Sequence, residues 1–156
     1  MEHALAHAKR SRNRVAVLLL DLDNFKEVND TYGHRIGDLL LQHTVLRLAT
    51  RMRGADTLSR SGGDEFTVIS EIATPEGAEV LASALKLALS IPFKLEGNLI
   101  RSSASVGVAI YPDDGIEADS LRAAADKAMY AAKRASRKAA SGADLFHSRQ
   151  PESQPV

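Results

Sequence analysis

Two acidic clusters are the groups in this chain best suited to chemistry. Asp21 and Asp23 close a run of apolar residues, Val15 to Leu20, and Asp64 and Glu65 follow directly on Gly62-Gly63. A carboxylate at a strand end or turn tip adds nothing to a core, so its placement calls for a partner. Hard carboxylate oxygens with no histidine or cysteine beside them point to magnesium, or manganese, rather than zinc. If the segment bearing Asp64 pairs beside the strand ending in Asp21, the ~4.8 Å spacing of neighbouring strands lets Asp21 and Asp64 share an ion. Two such carboxylates repel one another unless a cation is present.

The elements that must position these groups follow from local pattern. Val15 to Leu20 is a continuous apolar run, the mark of a strand covered on both faces, reaching about residue 22. A short helix is expected over 24–30, with first-turn amides that favour phosphate. Gly62-Gly63 reads as the centre of a tight hairpin turn, where positive φ at both positions suits glycine. That hairpin spans about 56–71, and Phe66-Thr67-Val68-Ile69 form its outgoing strand. The spacing predicts a helix over 35–53 with Leu41, Val45, Leu48 and Met52 on one face. Pro75 opens another helix, buried along Ala78, Leu81, Ala82, Leu85 and Leu89, and Pro92 ends it. A second hairpin turns at Gly97-Asn98, with Val106, Val108 and Ile110 alternating in its longer strand. Leu121 to Lys138 read as an Ala-rich helix, 143–147 as an edge strand, and 148–156 as a disordered tail. The result is an α/β (α+β) sandwich: a mixed, mostly antiparallel sheet with flanking helices.

Composition sets bounds on function. A chain of 156 residues is one domain with room for a real core, and 44% hydrophobic content is ordinary for a soluble globular protein. Twenty basic and twenty acidic residues give a formal net charge of zero. No nucleic-acid binding is expected from that balance, and any phosphate site must be local. The absence of cysteine excludes disulfide and thiol chemistry and suits the cytoplasm. No apolar run approaches the ~20 residues needed to span a bilayer, so direct membrane insertion is not expected. No signal peptide is visible.

Several familiar sites are excluded. Asp21-Leu22-Asp23 begins like a calcium loop, but Phe25 stands at the third ligand position and Lys26 where glycine is required. No G-x-x-x-x-G-K-[ST] segment exists, which removes a P-loop. The larger pattern is Asp21-Leu22-Asp23-Asn24-Phe25-Lys26-Glu27-Val28-Asn29-Asp30, then Gly33-His34 and Gly37-Asp38, then Arg60-Ser61-Gly62-Gly63-Asp64-Glu65-Phe66. It continues through Ser105-Val106-Gly107-Val108-Ala109 and Ala125-Asp126-Lys127-Ala128-Met129-Tyr130-Ala131-Ala132-Lys133. In order and spacing, across residues 15–135, this resembles the GGDEF family of diguanylate cyclases.

The resemblance implies a sheet similar to the palm of polymerases and nucleotide cyclases. It implies two magnesium ions held by Asp21, the backbone carbonyl of Leu22, and Asp64. Asp64 is also the implied proton acceptor, with Glu65 assisting. Asn29 and Asp38 match the family's guanine readers: a carboxylate accepts from guanine N1–H and the 2-amino group, and an amide donates to N3 or O6. As bland roles, Asn29 suits a helix C-cap and Asp38 a helix N-terminal charge. His34 stands beside them as a pocket residue. Amides of Asn24 and Phe25 would cradle phosphate, and Lys133 with Arg137, one helical turn apart, would neutralise the outer phosphates. Where the family has a glycine ahead of that arginine, this chain has Ser136, so an easy helix stop is lost.

The implied reaction is condensation of two GTP to cyclic dimeric GMP and two pyrophosphates, across a homodimer. Arg53-Gly54-Ala55-Asp56 matches the family's product-inhibition motif; its bland reading is an exposed ion pair. The alternative function is a domain that binds GTP or cyclic di-GMP as a regulatory module without turnover. Residues 1–14 read as the end of a helix or linker, and 15–147 as the GGDEF domain. The family's usual opening signature is absent, so a longer parent with a sensory or regulatory domain is expected, itself open to membrane tethering.

Overall fold

β1 lies at the heart of the sheet because both of its faces and both of its edges are covered. The computed structural model describes residues 1–147, with side chains as far as residue 138. Its elements are α1 (Glu2–Ser11), β1 (Arg14–Leu22), α2 (Phe25–Tyr32), α3 (His34–Ala49), β2 (Thr57–Gly62), β3 (Glu65–Ile72), α4 (Pro75–Ser90), β4 (Phe93–Leu95), β5 (Asn98–Ile100), β6 (Ala104–Tyr111) and α5 (Ala118–His147). The main sheet runs β2-β3-β1-β6, and every neighbouring pair is antiparallel. Ala16, Leu18, Leu20 and Leu22 of β1 face a core built with α2, α3 and α4. Val15, Val17 and Leu19 face the opposite way, against Leu5 and Ala8 of α1 and Leu121, Ala125 and Met129 of α5. Alternation is invisible in the sequence of β1 because each side of the pleat meets its own apolar layer.

Several local expectations are corrected. The tight turn after β2 is centred on Gly63-Asp64, since Gly62 pairs with Glu65 across the hairpin. Neither Gly62 nor Gly63 takes positive φ. A register shift between Arg60 and Gly62 absorbs the difference in strand length. The second hairpin turns at Glu96-Gly97, where φ is 48° and 83°, the two positive values a primed two-residue turn demands. It links only β4 and β5, which form a separate two-stranded sheet, whereas β6 leaves that hairpin and pairs with β1. In α3 the buried stripe is Ile36, Leu40, Leu41, Thr44 and Leu48; Val45 is turned out, and Met52 lies past the helix end against the core. Residues 143–147 continue α5 rather than form a strand. The Ala-rich sequence favours helix, and the single Gly142 costs only about 1 kcal/mol, too little to stop it. The tail expected over 148–156 lies outside the described residues.

β6 and α5 approach so closely at Gly107 that a side chain has no room. A Cβ there would stand 2.0 Å from the Ala125 carbonyl oxygen and 2.3 Å from the Met129 amide nitrogen, both main-chain atoms of α5. Backbone cannot swing aside as a side-chain tip can. Gly107→Ala is therefore expected to destabilise the domain by about 1–3 kcal/mol or more, read as a lowered urea midpoint with unchanged slope. An unchanged midpoint would show that α5 is not seated against β6 as described.

Candidate active site

The acidic clusters meet at one end of β1. In the β1–β3 register Asp21 stands opposite Glu65, and the Leu22 amide donates to the Asp64 carbonyl at 3.2 Å. Asp21 is 7% exposed, and its carboxylate receives the Lys133 ammonium from α5. Asp64 has a pKa above the ordinary carboxylate value, raised first by burial and then by the negative charge of Asp21; its own backbone hydrogen bond and Lys133 oppose the shift. The two carboxylates thus lie within electrostatic reach, as the pairing of the strands requires. Asp64 and Glu65 do not share one cleft. Asp64 opens into the cleft beside α2, whereas Glu65 lines a smaller one with Ser61, Arg122 and Asp126.

The cleft beside α2 has a volume of about 410 Å³ and gathers Leu22, Asn24, Phe25, Asp64, Lys133 and Arg137. Its floor is the start of α2, where Asn24 sits in the left-handed region at φ 60° and gives the helix no side-chain cap. First-turn amides are therefore left for another acceptor, the condition for holding an anion. Phe25 packs against the core and Val28 is buried, which fixes where the helix begins. Lys133 and Arg137 reach the cleft from α5, with Ser136 between them on the same lining. Since α5 continues unbroken past residue 136, loss of the family glycine does not turn Arg137 away.

Asp23 turns out to brace this corner. Its carboxylate accepts from Ser103 Oγ at 2.6 Å and Ser105 Oγ at 2.8 Å, and its amide donates to the Ser103 carbonyl at 2.9 Å. Those contacts tie the β1–α2 turn to the start of β6. Ser103 was not singled out from sequence, although the polar pair Ser102-Ser103 ahead of a strand was a signal, and Ser105 entered only as part of the pattern Ser105 to Ala109, with no role of its own.

Another expected residue, Asn29, lies at the far end of α2. Asn29 packs on Gly37 of α3, next to Asp38. Its carbonyl receives the Gly33 amide at 2.9 Å, so the backbone rather than the side chain serves the helix end. Its side-chain Oδ1 is buried with no hydrogen-bond partner among the described residues. An unsatisfied buried acceptor costs about 1–3 kcal/mol. Asp38 and His34 are exposed on the first turns of α3. Neither they nor Asn29 line the cleft at the start of α2. Five residues of helix, about 7.5 Å, separate Asn24 from Asn29.

Arg53 and Asp56 do not form an ion pair. The Arg53 amide donates to Asp56 Oδ2 at 2.7 Å, and the Asp56 amide donates back to the Arg53 carbonyl at 3.0 Å. This closed turn leaves the Arg53 guanidinium outside the pairing, at a groove of about 280 Å³ that Arg51 also lines. Arg51 was not singled out from sequence, because it stands just ahead of the motif.

The donor chemistry fits magnesium. Among the described residues no group of three or more His, Cys, Asp or Glu side chains is arranged for a metal. Asp21, Asp64 and the Leu22 carbonyl are an all-oxygen set, and magnesium takes one or two carboxylates and completes its shell with water and phosphate. The mutual repulsion of Asp21 and Asp64 favours such a cation.

Comparison with known proteins shows the family. Residues 1–139 match the family model described as "Diguanylate cyclase, GGDEF domain". The chain is 45% identical over 133 residues to the bifunctional diguanylate cyclase/cyclic di-GMP phosphodiesterase MucR of Pseudomonas aeruginosa, covering 85% of this chain and 19% of that protein. It is 39% identical to the cyclic di-GMP phosphodiesterase PdeR of Escherichia coli, covering 88% of this chain and 20% of that one. Among solved structures, the GGDEF domain of TpbB (YfiN) from Pseudomonas aeruginosa superposes with a TM-score of 0.82 at 36% identity, covering 85% of this chain and 83% of that one. The GGDEF domain of DgcB from Caulobacter crescentus, solved with c-di-GMP, gives 0.77 at 25% identity, over 85% and 80%. The chain belongs to the GGDEF domain family, and its sheet is the cyclase palm. It spans about a fifth of the length of MucR and PdeR. Among the described residues no helix is long and apolar enough to cross a membrane.

The raised pKa of Asp64 yields a stability test. The folded domain holds that proton more tightly than the unfolded chain does. Stability is therefore lost as pH rises from the unfolded value through the folded one, and the penalty is complete above both. Without magnesium, Asp64→Asn is expected to be at least as stable as wild type at pH 7. Partial exposure limits the gain to about 1 kcal/mol or less. Urea midpoints of the two proteins should converge below about pH 4. A variant clearly less stable at neutral pH would mean that Asp64 is a structural acceptor instead.

Proposed function

We propose that this domain condenses two GTP molecules into cyclic dimeric GMP with release of two pyrophosphates. The observation that carries the reading is the convergence at one end of β1: buried Asp21, Asp64 of the hairpin, and the uncapped start of α2 beside Lys133. In this reading the Asn24 and Phe25 amides, Lys133 and Arg137 hold the triphosphate. The guanine goes to Asn29 and Asp38 at the other end of α2, with His34 at its border. Asp21, the Leu22 carbonyl and Asp64 would hold two magnesium ions, with manganese as a substitute. When bound there, magnesium offsets the triphosphate charge and acidifies the attacking hydroxyl.

Each domain presents one nucleotide. The 3′-oxygen of one GTP forms a bond to the α-phosphorus of the other, and the bond from that phosphorus to pyrophosphate breaks. The 3′-hydroxyl proton passes to Asp64, and Glu65 assists from the neighbouring smaller cleft. The same step in the opposite sense closes the ring, so two copies of the domain must face each other as a homodimer. A regulatory domain that binds nucleotide without turnover is the competing reading, and the phosphodiesterase name of PdeR keeps it in view. The intact set of Asp21, Asp64 and Glu65 favours catalysis.

Incubation with GTP and magnesium at high protein concentration is expected to give the cyclic dinucleotide, and Asp21→Asn should reduce its rate at least 100-fold, on the order of 3 kcal/mol. If two domains joined in tandem make no product, the regulatory reading replaces this one. Cyclic dimeric GMP is further expected to bind at Arg53 and Asp56 and to slow the reaction noncompetitively toward GTP. A guanidinium freed by the Asp56 turn can grip phosphate and purine edges in two-pronged fashion. Arg53→Ala should weaken product binding by calorimetry and relieve inhibition. Unchanged values for both would leave the motif as a turn alone.

A further inference from the structure

Gly37 sits inside α3, where glycine is the poorest residue short of proline. Its φ lies outside the left-handed region that would demand glycine. The reason for it is Asn29. A Cβ on residue 37 would lie 1.9 Å from Asn29 Oδ1, 2.9 Å from its Cγ and 3.4 Å from its Nδ2. The Asn29 carboxamide thus occupies the space that a side chain would fill, oxygen innermost and nitrogen farther out. That oxygen is buried and has no hydrogen-bond partner among the described residues, so intramolecular hydrogen bonding does not hold the amide in place. Shape does: the amide is seated against the bare face of α3, with Asp38 the next residue along.

We propose that Gly37 is a positioning residue for base recognition. Its missing side chain fixes the Asn29 carboxamide, beside Asp38, in the orientation that reads guanine. The inference rests on the assignment of Asn29 and Asp38 to the base. It adds that a residue with no functional group sets nucleotide choice. The alanine clash falls on the Asn29 side chain and not on main chain, so the fold escapes the cost and the recognition bears it. Alanine is also the better helix former. Gly37→Ala therefore separates positioning from packing.

The test compares wild type, Gly37→Ala, Asn29→Ala and the double variant by thermal melting, and by calorimetry with α,β-methylene analogues of GTP and ATP in magnesium. Gly37→Ala should melt at or above the wild-type temperature yet bind the GTP analogue about tenfold more weakly, a change of ~1.4 kcal/mol. Affinity for the ATP analogue should hold. In the rate assay KM for GTP should rise more than kcat falls. In the Asn29→Ala background, Gly37→Ala should have no further effect, because no amide remains to displace. Equal losses in both backgrounds would overturn the proposal. So would retained guanine preference in Gly37→Ala, or a Gly37→Ala that unfolds while the double variant folds. If wild type itself shows no preference for the GTP analogue, the base assignment fails, and the proposal with it.

Discussion

Everything at the candidate site hangs on the burial of β1. A strand paired on both edges and covered on both faces cannot slip by one residue without carrying its polar end, Asp21, to the opposite face and into the apolar core there. Its last turn of pleat nevertheless carries Asp21, 7% exposed, on the face toward α5. A carboxylate in that setting must be answered by positive charge, and the Lys133 ammonium answers it in the chain alone. The same rigid register sets Leu22 against Asp64 and so decides which residue of the hairpin reaches the cleft. Charge is thus placed by apolar packing, and the packing explains why the placement is firm.

α2 converts that fixed corner into a longer ruler. One end opens without a cap at the corner, braced by Asp23 on Ser103 and Ser105. The other end presents Asn29 against Gly37. A helix changes length far less readily than a loop, so the separation between the uncapped amides and the Asn29 carboxamide is a property of the fold. Arg35 from α3 pairs with Glu96 of the β4–β5 turn, linking the small second sheet to the same end.

Much of this was legible in the sequence where a pattern had one physical cause. The apolar run gave β1, Pro75 gave the start of α4, and the acidic clusters gave the corner. Readings failed where two causes compete. Gly62-Gly63 looks like a turn because glycine tolerates positive φ, yet the register puts the turn one residue later and neither glycine uses that freedom. A Cβ on either would meet nothing within 4 Å, so the chain itself gives no steric reason for them. The pairing of β6 with β1 is nonlocal and leaves no mark in β6 itself. Val45 fell within the width of the helical stripe but just outside its buried arc. The bland alternative for Arg53 and Asp56, an exposed ion pair, failed because the amide geometry of a tight turn claimed the carboxylate. Arg51 became visible only once the chain had folded back on itself.

α5 invites a mechanical description. It is a rod of 30 residues, about 45 Å long, and Gly107 is a notch into which its backbone drops between Ala125 and Met129. A rod held in a notch resists sliding along its axis, since any slip would ride the Gly107 main chain up against the next turn. Lys133 is only one turn beyond Met129, so the notch acts as a clamp close to the charge that meets Asp21.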